Sequence, residues 1–287
     1  MRRVRQVGFQ IALGIGVFAA GYGLGVMSYR HGWPPISAYR RLTAPSPAYL
    51  TDLSGRRDVP CPSAGPRTAV LLALGQSNAA NLGLARQTPI TGAPTVTNFF
   101  DGKCYAAGDS LLGAEGGSSS VWTLVGNDLV ADGAFTDVVL AVFAIGNTSI
   151  ADWNGTPFFQ RRLDRIVSDL QSRRLPPTMV LWFQGERDGQ DHTEGAAYVS
   201  AFESFARGLR ARGVTAPIYL SLTTLCQSPP NPGIRSAQRT LQQRQGFAAG
   251  PDTDSVGLAY RWDGCHFTPE GQARVATLWA DALRRRD

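Results

Sequence analysis

From residue 67 onward, short and almost unbroken apolar runs alternate with longer stretches of mixed polarity. TAVLLAL (68–74), TVTNFF (95–100), DVVLAVFAI (137–145), TMVLWFQ (178–184) and PIYLSLTT (217–224) read as strands. Several lack the polar-apolar alternation of a sheet with one wet face, so they predict strands covered on both faces, as in a parallel sheet. Segments 121–132, 158–174, 195–212, 234–248 and 269–286 read as helices. The last places Val275, Leu278, Trp279 and Leu283 on one face and ends in RRRD, cations suited to the negative end of a helix dipole. A βαβα succession of this kind predicts a three-layer, doubly wound α/β/α domain over 67–287 with a mostly parallel five-stranded sheet.

A different pattern opens the chain. The basic flank MRRVRQ (1–6) precedes 23 positions, 7–29, without a charge. At 1.5 Å per residue such a helix crosses roughly 30 Å of hydrocarbon, so a transmembrane helix is expected. No convincing A-x-A cleavage site precedes Arg30, which favours an uncleaved signal anchor over a cleaved signal peptide. The expected arrangement is a membrane-anchored protein with its domain on the extracytoplasmic (periplasmic or extracellular) side. Gly21-x-x-x-Gly25 would permit weak self-association of such helices. Residues 30–66, rich in Pro, Ser and Arg, read as a tether partly laid on the domain surface.

The net charge of +6 belongs to this arm. Residues 1–44 hold six arginines and no acid, whereas 45–287 balance 22 basic against 22 acidic groups. A neutral body argues against a nucleic-acid partner. Four cysteines (61, 104, 226, 265) in an exported domain allow two disulfides in three pairings, with Cys226–Cys265 preferred because each follows a predicted strand; buried free thiols are the alternative. Asp188, Asp191, His192 and Glu194 match no metal-loop spacing, and no metal is expected.

Two serines compete for nucleophilic chemistry. Ser77, in LGQSNAANLG, follows the most strand-like run, where ligands bind in doubly wound folds; Gly75 permits a tight turn there. Ser110, in the tetrapeptide GDSL, follows the poorly strand-like KCYAA and reads as a chance match. GND at 126–128 likewise lies inside a helical pattern. A serine needs a base, and His266 in WDGCHFTPEG is the candidate. Asp263, three residues earlier, is placed to hold Nδ1 and leave Nε2 for the serine, with Thr268-Pro269 starting the final helix.

GQSN after the first strand, WFQGERD after a later one and DGCH before the last helix together resemble the SGNH-hydrolase superfamily, and within it the sialate O-acetylesterase-like branch related to carbohydrate esterase family 6. The resemblance covers about residues 67–287. It implies a flavodoxin-like fold, no cofactor, and removal of acetyl groups from a carbohydrate. It implies Ser77 as nucleophile, His266 as general base and Asp263 as the orienting acid. The oxyanion donors would be the Ser77 amide, a backbone amide of Gly117 or Ser119, and the side chain of Gln184. Gln76 and Asn78 flank the nucleophile. Glu186 would line the sugar site or, as we favour, pin the active-site loops. Asn147 and Ser149 would contact substrate or cap their loop. Two other readings stand beside the esterase: a polysaccharide O-acetyltransferase with the same triad, and an inactive polysaccharide-binding module. A lipid esterase fits less well, because the loops are rich in Gly, Asn and Thr.

Overall fold

A computed structural model describes residues 21–25, 48–84 and 95–285. The chain divides into two units, Met1–Pro47 and Ala48–Asp287. In the first, residues 21–25 are helical; the rest of the expected span at 7–29 lies outside the described residues. Among the described residues no helix is long and apolar enough to cross a membrane.

The second unit holds strands β1 (Asp58–Val59), β2 (Thr68–Gly75), β3 (Val96–Phe100), β4 (Lys103–Ala106), β5 (Asp137–Ala144), β6 (Met179–Phe183), β7 (Ile218–Leu222) and β8 (Phe247–Asp252). Its helices are α1 (Val121–Ala131), α2 (Ile150–Gly155), α3 (Pro157–Ser172), α4 (Glu186–Gln190), α5 (Gly195–Ala211), α6 (Pro232–Gln242) and α7 (Pro269–Arg284). The strands form one sheet in the order β1-β4-β3-β5-β2-β6-β7-β8, antiparallel only at β1–β4 and β4–β3. With β3 set aside, the parallel strands from β5 to β8 run 2-1-3-4-5, the flavodoxin-like order.

The five predicted strands are all present, but the sheet has eight, and the prediction is corrected at three places. The stretch 234–248, expected to be one helix, ends at Gln242 and passes into β8, a sixth parallel strand. KCYA, dismissed as poorly strand-like, is β4, folded onto β3 through Asp101 (φ 46) and Gly102 (φ 77). Two positive φ values side by side are what a tight two-residue hairpin turn requires. β1 then pairs with β4, and Cys61 is bonded to Cys104, so the stretch from Ala48 onward is part of the compact unit.

Burial explains the unbroken apolar runs. Every residue of β2 is buried. Val70, Leu72 and Leu74 face a core with Trp153, Phe159, Trp182 and Phe205, contributed largely by α2, α3, α5 and α6. Ala69, Leu71 and Ala73 face the opposite core, with Trp122, Val125, Val275 and Trp279 of α1 and α7. A strand between two cores has no wet face to mark with polar residues.

Candidate active site

β2 lies at the centre of the sheet, between β5 and β6. The chain winds outward from β2 on one side and returns to β6 on the other, so the crevice at the carboxyl ends of β2 and β6 is the topological switch point. Gly75 closes β2 at φ +152, and a Cβ placed there would lie 2.1 Å from the Phe183 carbonyl oxygen of β6. Only glycine lets the two strand ends approach so closely. Gln76 fastens them: its N–H donates to Phe183 O (3.1 Å), and its Oε1 accepts from the Arg187 amide (3.1 Å). Ser77 opens a short 3-10 turn, Ser77–Ala79, closed by Ala79 N–H to Gln76 O (2.9 Å) and Ala80 N–H to Ser77 O (3.0 Å).

The other half of the site is built just ahead of α7. Thr268 caps that helix by accepting from the Gly271 amide (3.1 Å), with Pro269 as its first residue. In the preceding turn Asp263 Oδ1 accepts from the amides of Cys265 (2.8 Å) and His266 (2.7 Å), while Oδ2 lies 2.6 Å from His266 Nδ1. Partial burial pushes the Asp263 carboxyl upward, but the His266 amide and ring and the Cys265 amide outweigh it and hold the group below its ordinary value. A carboxylate on Nδ1 leaves Nε2 as the basic nitrogen. That Nε2 is buried and has no hydrogen-bond partner.

The two halves meet one residue away from each key side chain. Asn78 Nδ2 donates to Cys265 O (3.3 Å) and to Glu186 Oε1 (2.8 Å). Arg261 Nη1 donates to the same Cys265 carbonyl, and Cys265 is bonded to Cys226. The preferred disulfide pair is therefore the one formed, and it pins the turn between Asp263 and His266. Glu186 is fully buried, and burial lifts its carboxyl above the ordinary range against the Asn78 hydrogen bond and the charge of Arg261. It ties the segment after β6 to the serine loop through Asn78 and is not open to solvent.

Several expected roles need correction. Gln184, expected as an oxyanion donor, is fully buried, and its amide nitrogen donates to Thr148 O (3.0 Å) and Asp188 Oδ2 (2.6 Å). Its carbonyl accepts from the Tyr198 hydroxyl (3.1 Å). Both amide hydrogens are thus committed to the protein, and none remains for a substrate oxygen. Asp188 also accepts from the amide of Ile150 (2.8 Å) and the hydroxyl of Thr193 (2.9 Å), so it ties together the segments that follow β5 and β6. Asp191 pairs with Arg187 (2.7 Å). Among the described residues no group of three or more His, Cys, Asp or Glu side chains is disposed to hold a metal.

Ser119 is buried, with its hydroxyl donating to Gln272 Oε1 (2.6 Å), and Gly117 is exposed. Their segment runs beside Asn81–Gly83: Ser118 N–H donates to Asn81 O (3.0 Å) and Gly83 N–H to Ser119 O (3.1 Å). The backbone that approaches Ser77 is Gly146, past the end of β5, where an added Cβ would sit 3.5 Å from Ser77 Cβ. Its amide donates to Glu115 Oε2 (2.5 Å). Sequence reasoning missed both residues; the signal for Gly146 is a glycine directly following a central strand. Asn147 (φ 59) is exposed and accepts from Arg187 Nη1 (2.9 Å). Ser149 bonds Asp152 Oδ2 through its amide and its hydroxyl (both 2.8 Å), so it caps its loop. Ser110 is buried and donates to Ser118 O (2.6 Å), and Asn127 lies within α1.

A family model described as "carbohydrate esterase, sialic acid-specific acetylesterase" matches residues 67–285. Among curated proteins, none matches this chain. Among solved structures, the chain is similar to a protein from Arabidopsis thaliana, with a TM-score of 0.59 at 16% identity over 76% of this chain and 98% of that one. It is also similar to a carbohydrate acetylesterase from Xanthomonas citri, with a TM-score of 0.52 at 18% identity over 75% of this chain and 55% of that one. The chain thus spans about half of the Xanthomonas protein. At these identities both likenesses speak to the fold alone.

Proposed function

The chain belongs to the carbohydrate esterase, sialic acid-specific acetylesterase family, and from that premise we propose that it removes O-acetyl groups from a carbohydrate through an acyl-enzyme formed on Ser77. Membership makes it a carbohydrate acetylesterase; the nucleophile, its partners and the place of action are the proposal. Ser77 Oγ attacks the acetyl carbonyl while His266 Nε2 takes its proton. Asp263 keeps the ring in the required tautomer and offsets the imidazolium charge. His266 then returns the proton to the departing sugar oxygen, and water repeats the sequence to release acetate.

One observation carries this reading. Asp263 grips both the ring and the backbone of His266, in a turn that Asn78 fastens to the serine loop, and Nε2 is buried and unpartnered. The Ser77 amide, which takes no part in closing its own turn, suits an oxyanion donor. The Gly146 amide becomes a second donor once a substrate oxygen displaces the Glu115 carboxylate. We place the domain outside the cytoplasm, anchored through 7–29. The two disulfides support an oxidising compartment, and the uncharged stretch supports the anchor.

The test is hydrolysis of 4-nitrophenyl acetate by the full chain, with Ser77→Ala and Ser110→Ala beside it. Turnover is expected to vanish in Ser77→Ala alone. Loss confined to Ser110→Ala would overturn the assignment, and a folded but inert wild type would favour a binding module.

A further inference from the structure

Of the five tryptophans among the described residues, Trp122, Trp153, Trp182 and Trp279 are fully buried, and Trp262 is 51% exposed. An indole joins a large apolar face to one polar N–H, which is why tryptophan is enriched where a protein contacts a partner or ligand. Trp262 directly precedes Asp263. Its ring lies beside that of His266, with centroids 6.1 Å apart and planes 28° from parallel. It is also held in place: its amide donates to His266 O (2.9 Å), Arg261 before it is buried, and the turn after it is closed by the Cys226–Cys265 bond. A second exposed apolar side chain, Leu84 (52%), is fixed at the same turn by its amide donating to Phe267 O (3.3 Å).

We infer that Trp262 is the platform on which the sugar ring of the substrate stacks, with Leu84 flanking it, so that an ester on that ring is presented to Ser77 and His266. The inference rests on the carbohydrate-esterase reading above and adds a residue that determines specificity. A pyranose offers one face lined with C–H groups, which packs on an indole face without burying its hydroxyls. An acyclic alkyl ester offers no such face. The near-parallel indole and imidazole set the plane of the bound sugar alongside the base, and the backbone fixed at both ends limits what must be ordered on binding.

The experiment compares wild type, Trp262→Ala and Trp262→Phe of the full chain on two substrates, a mono-O-acetylated methyl pyranoside and ethyl acetate. Trp262→Ala is expected to raise KM for the pyranoside about tenfold or more, with kcat and the pH profile little changed and ethyl acetate turnover unaffected. Trp262→Phe should fall between. In a Ser77→Ala background, titration with the pyranoside should quench tryptophan fluorescence, and the quench should disappear when Trp262→Phe is added. Parallel losses on both substrates would mean that the indole merely positions His266, and unchanged pyranoside kinetics would mean that it does nothing; either overturns the inference while leaving the carbohydrate reading intact. A wild type that cleaves ethyl acetate and no acetylated pyranoside would instead overturn the carbohydrate reading and the platform with it.

Discussion

Replacing Asp263 by asparagine tests the site at its most specific point, because the change is nearly isosteric and reverses a single hydrogen-bond direction. Asp263 accepts three hydrogen bonds, two from backbone amides on Oδ1 and one from the imidazole on Oδ2. An asparagine carbonyl can keep the two amides, which leaves its NH2 facing Nδ1. Turning the amide round would strand two backbone donors at about 1–3 kcal/mol each, so the first arrangement wins. Nδ1 must then accept, the ring proton moves to Nε2, and the base loses the lone pair it needs for the Ser77 proton. A wrong-tautomer triad loses about 10,000-fold in kcat, or about 5 kcal/mol of transition-state stabilisation. The assay is 4-nitrophenyl acetate turnover from about pH 5 to about pH 9, with a circular-dichroism melt as the control for folding. A folded Asp263→Asn variant within tenfold of wild type would refute the reasoning. The same residue predicts a pH signature in stability. Its folded pKa lies below the unfolded value, so the native state binds this proton less readily. Its contribution is therefore present above about pH 4 and lost as the pH falls through the folded value, and the gap between wild type and variant should close in acid.

Gly75→Ala brings a methyl group to 2.1 Å from the Phe183 carbonyl at a positive φ, and should cost more than about 3 kcal/mol in urea unfolding; a change below about 0.5 kcal/mol would show that the strand ends can part freely. Replacing both Cys226 and Cys265 by serine removes a cross-link spanning 39 residues, worth up to about 4 kcal/mol in the chain-entropy picture, and should lower kcat as well because Cys265 lies between Asp263 and His266. A calorimetric melt and a rate measurement check the two effects separately. Glu186→Ala strips Asn78 of the nearer of its two acceptors and Arg261 of a facing charge in a fully buried setting, so a loss of about 3 kcal/mol in thermal unfolding and a drop in kcat are expected; full activity and stability would mean that the loops do not rely on this carboxylate.

Much of this protein is legible in one dimension. Short, mostly apolar runs mark strands buried on both faces, and the five strands so marked, β2, β3, β5, β6 and β7, make up most of the parallel frame that carries the site. The Asp263–His266 turn is equally local: four consecutive residues supply the carboxylate, two backbone donors and the imidazole, and Thr268-Pro269 starts the helix that follows. The weaker strands escaped for physical reasons. β8, FAAGPD, has no β-branched residue and contains Gly and Pro, and β1 is two residues long. β4 could have been found from Asp101-Gly102, a hairpin dipeptide between two aromatic-bearing runs.

Which polar groups stay free for chemistry was decided only in three dimensions. Gln184 sits where an oxyanion donor would be expected, yet Thr148, 36 residues away, and Asp188 take both its amide hydrogens. Asn78 looks like a simple neighbour of Ser77 until it is seen to bridge Glu186, 108 residues on, and Cys265, 187 residues on. The approach of Gly146 to Ser77 and the exposure of Trp262 likewise depend on which loops meet at the ends of β2, β5 and β6. Periodicity and capping are set by neighbours within a turn or two of chain, so the sequence by itself determined the five strands that carry the site and the close pairing of Asp263 with His266. A hydrogen-bond donor has only as many hydrogens as it carries, and whether one is left for a substrate depends on partners that the fold alone brings together.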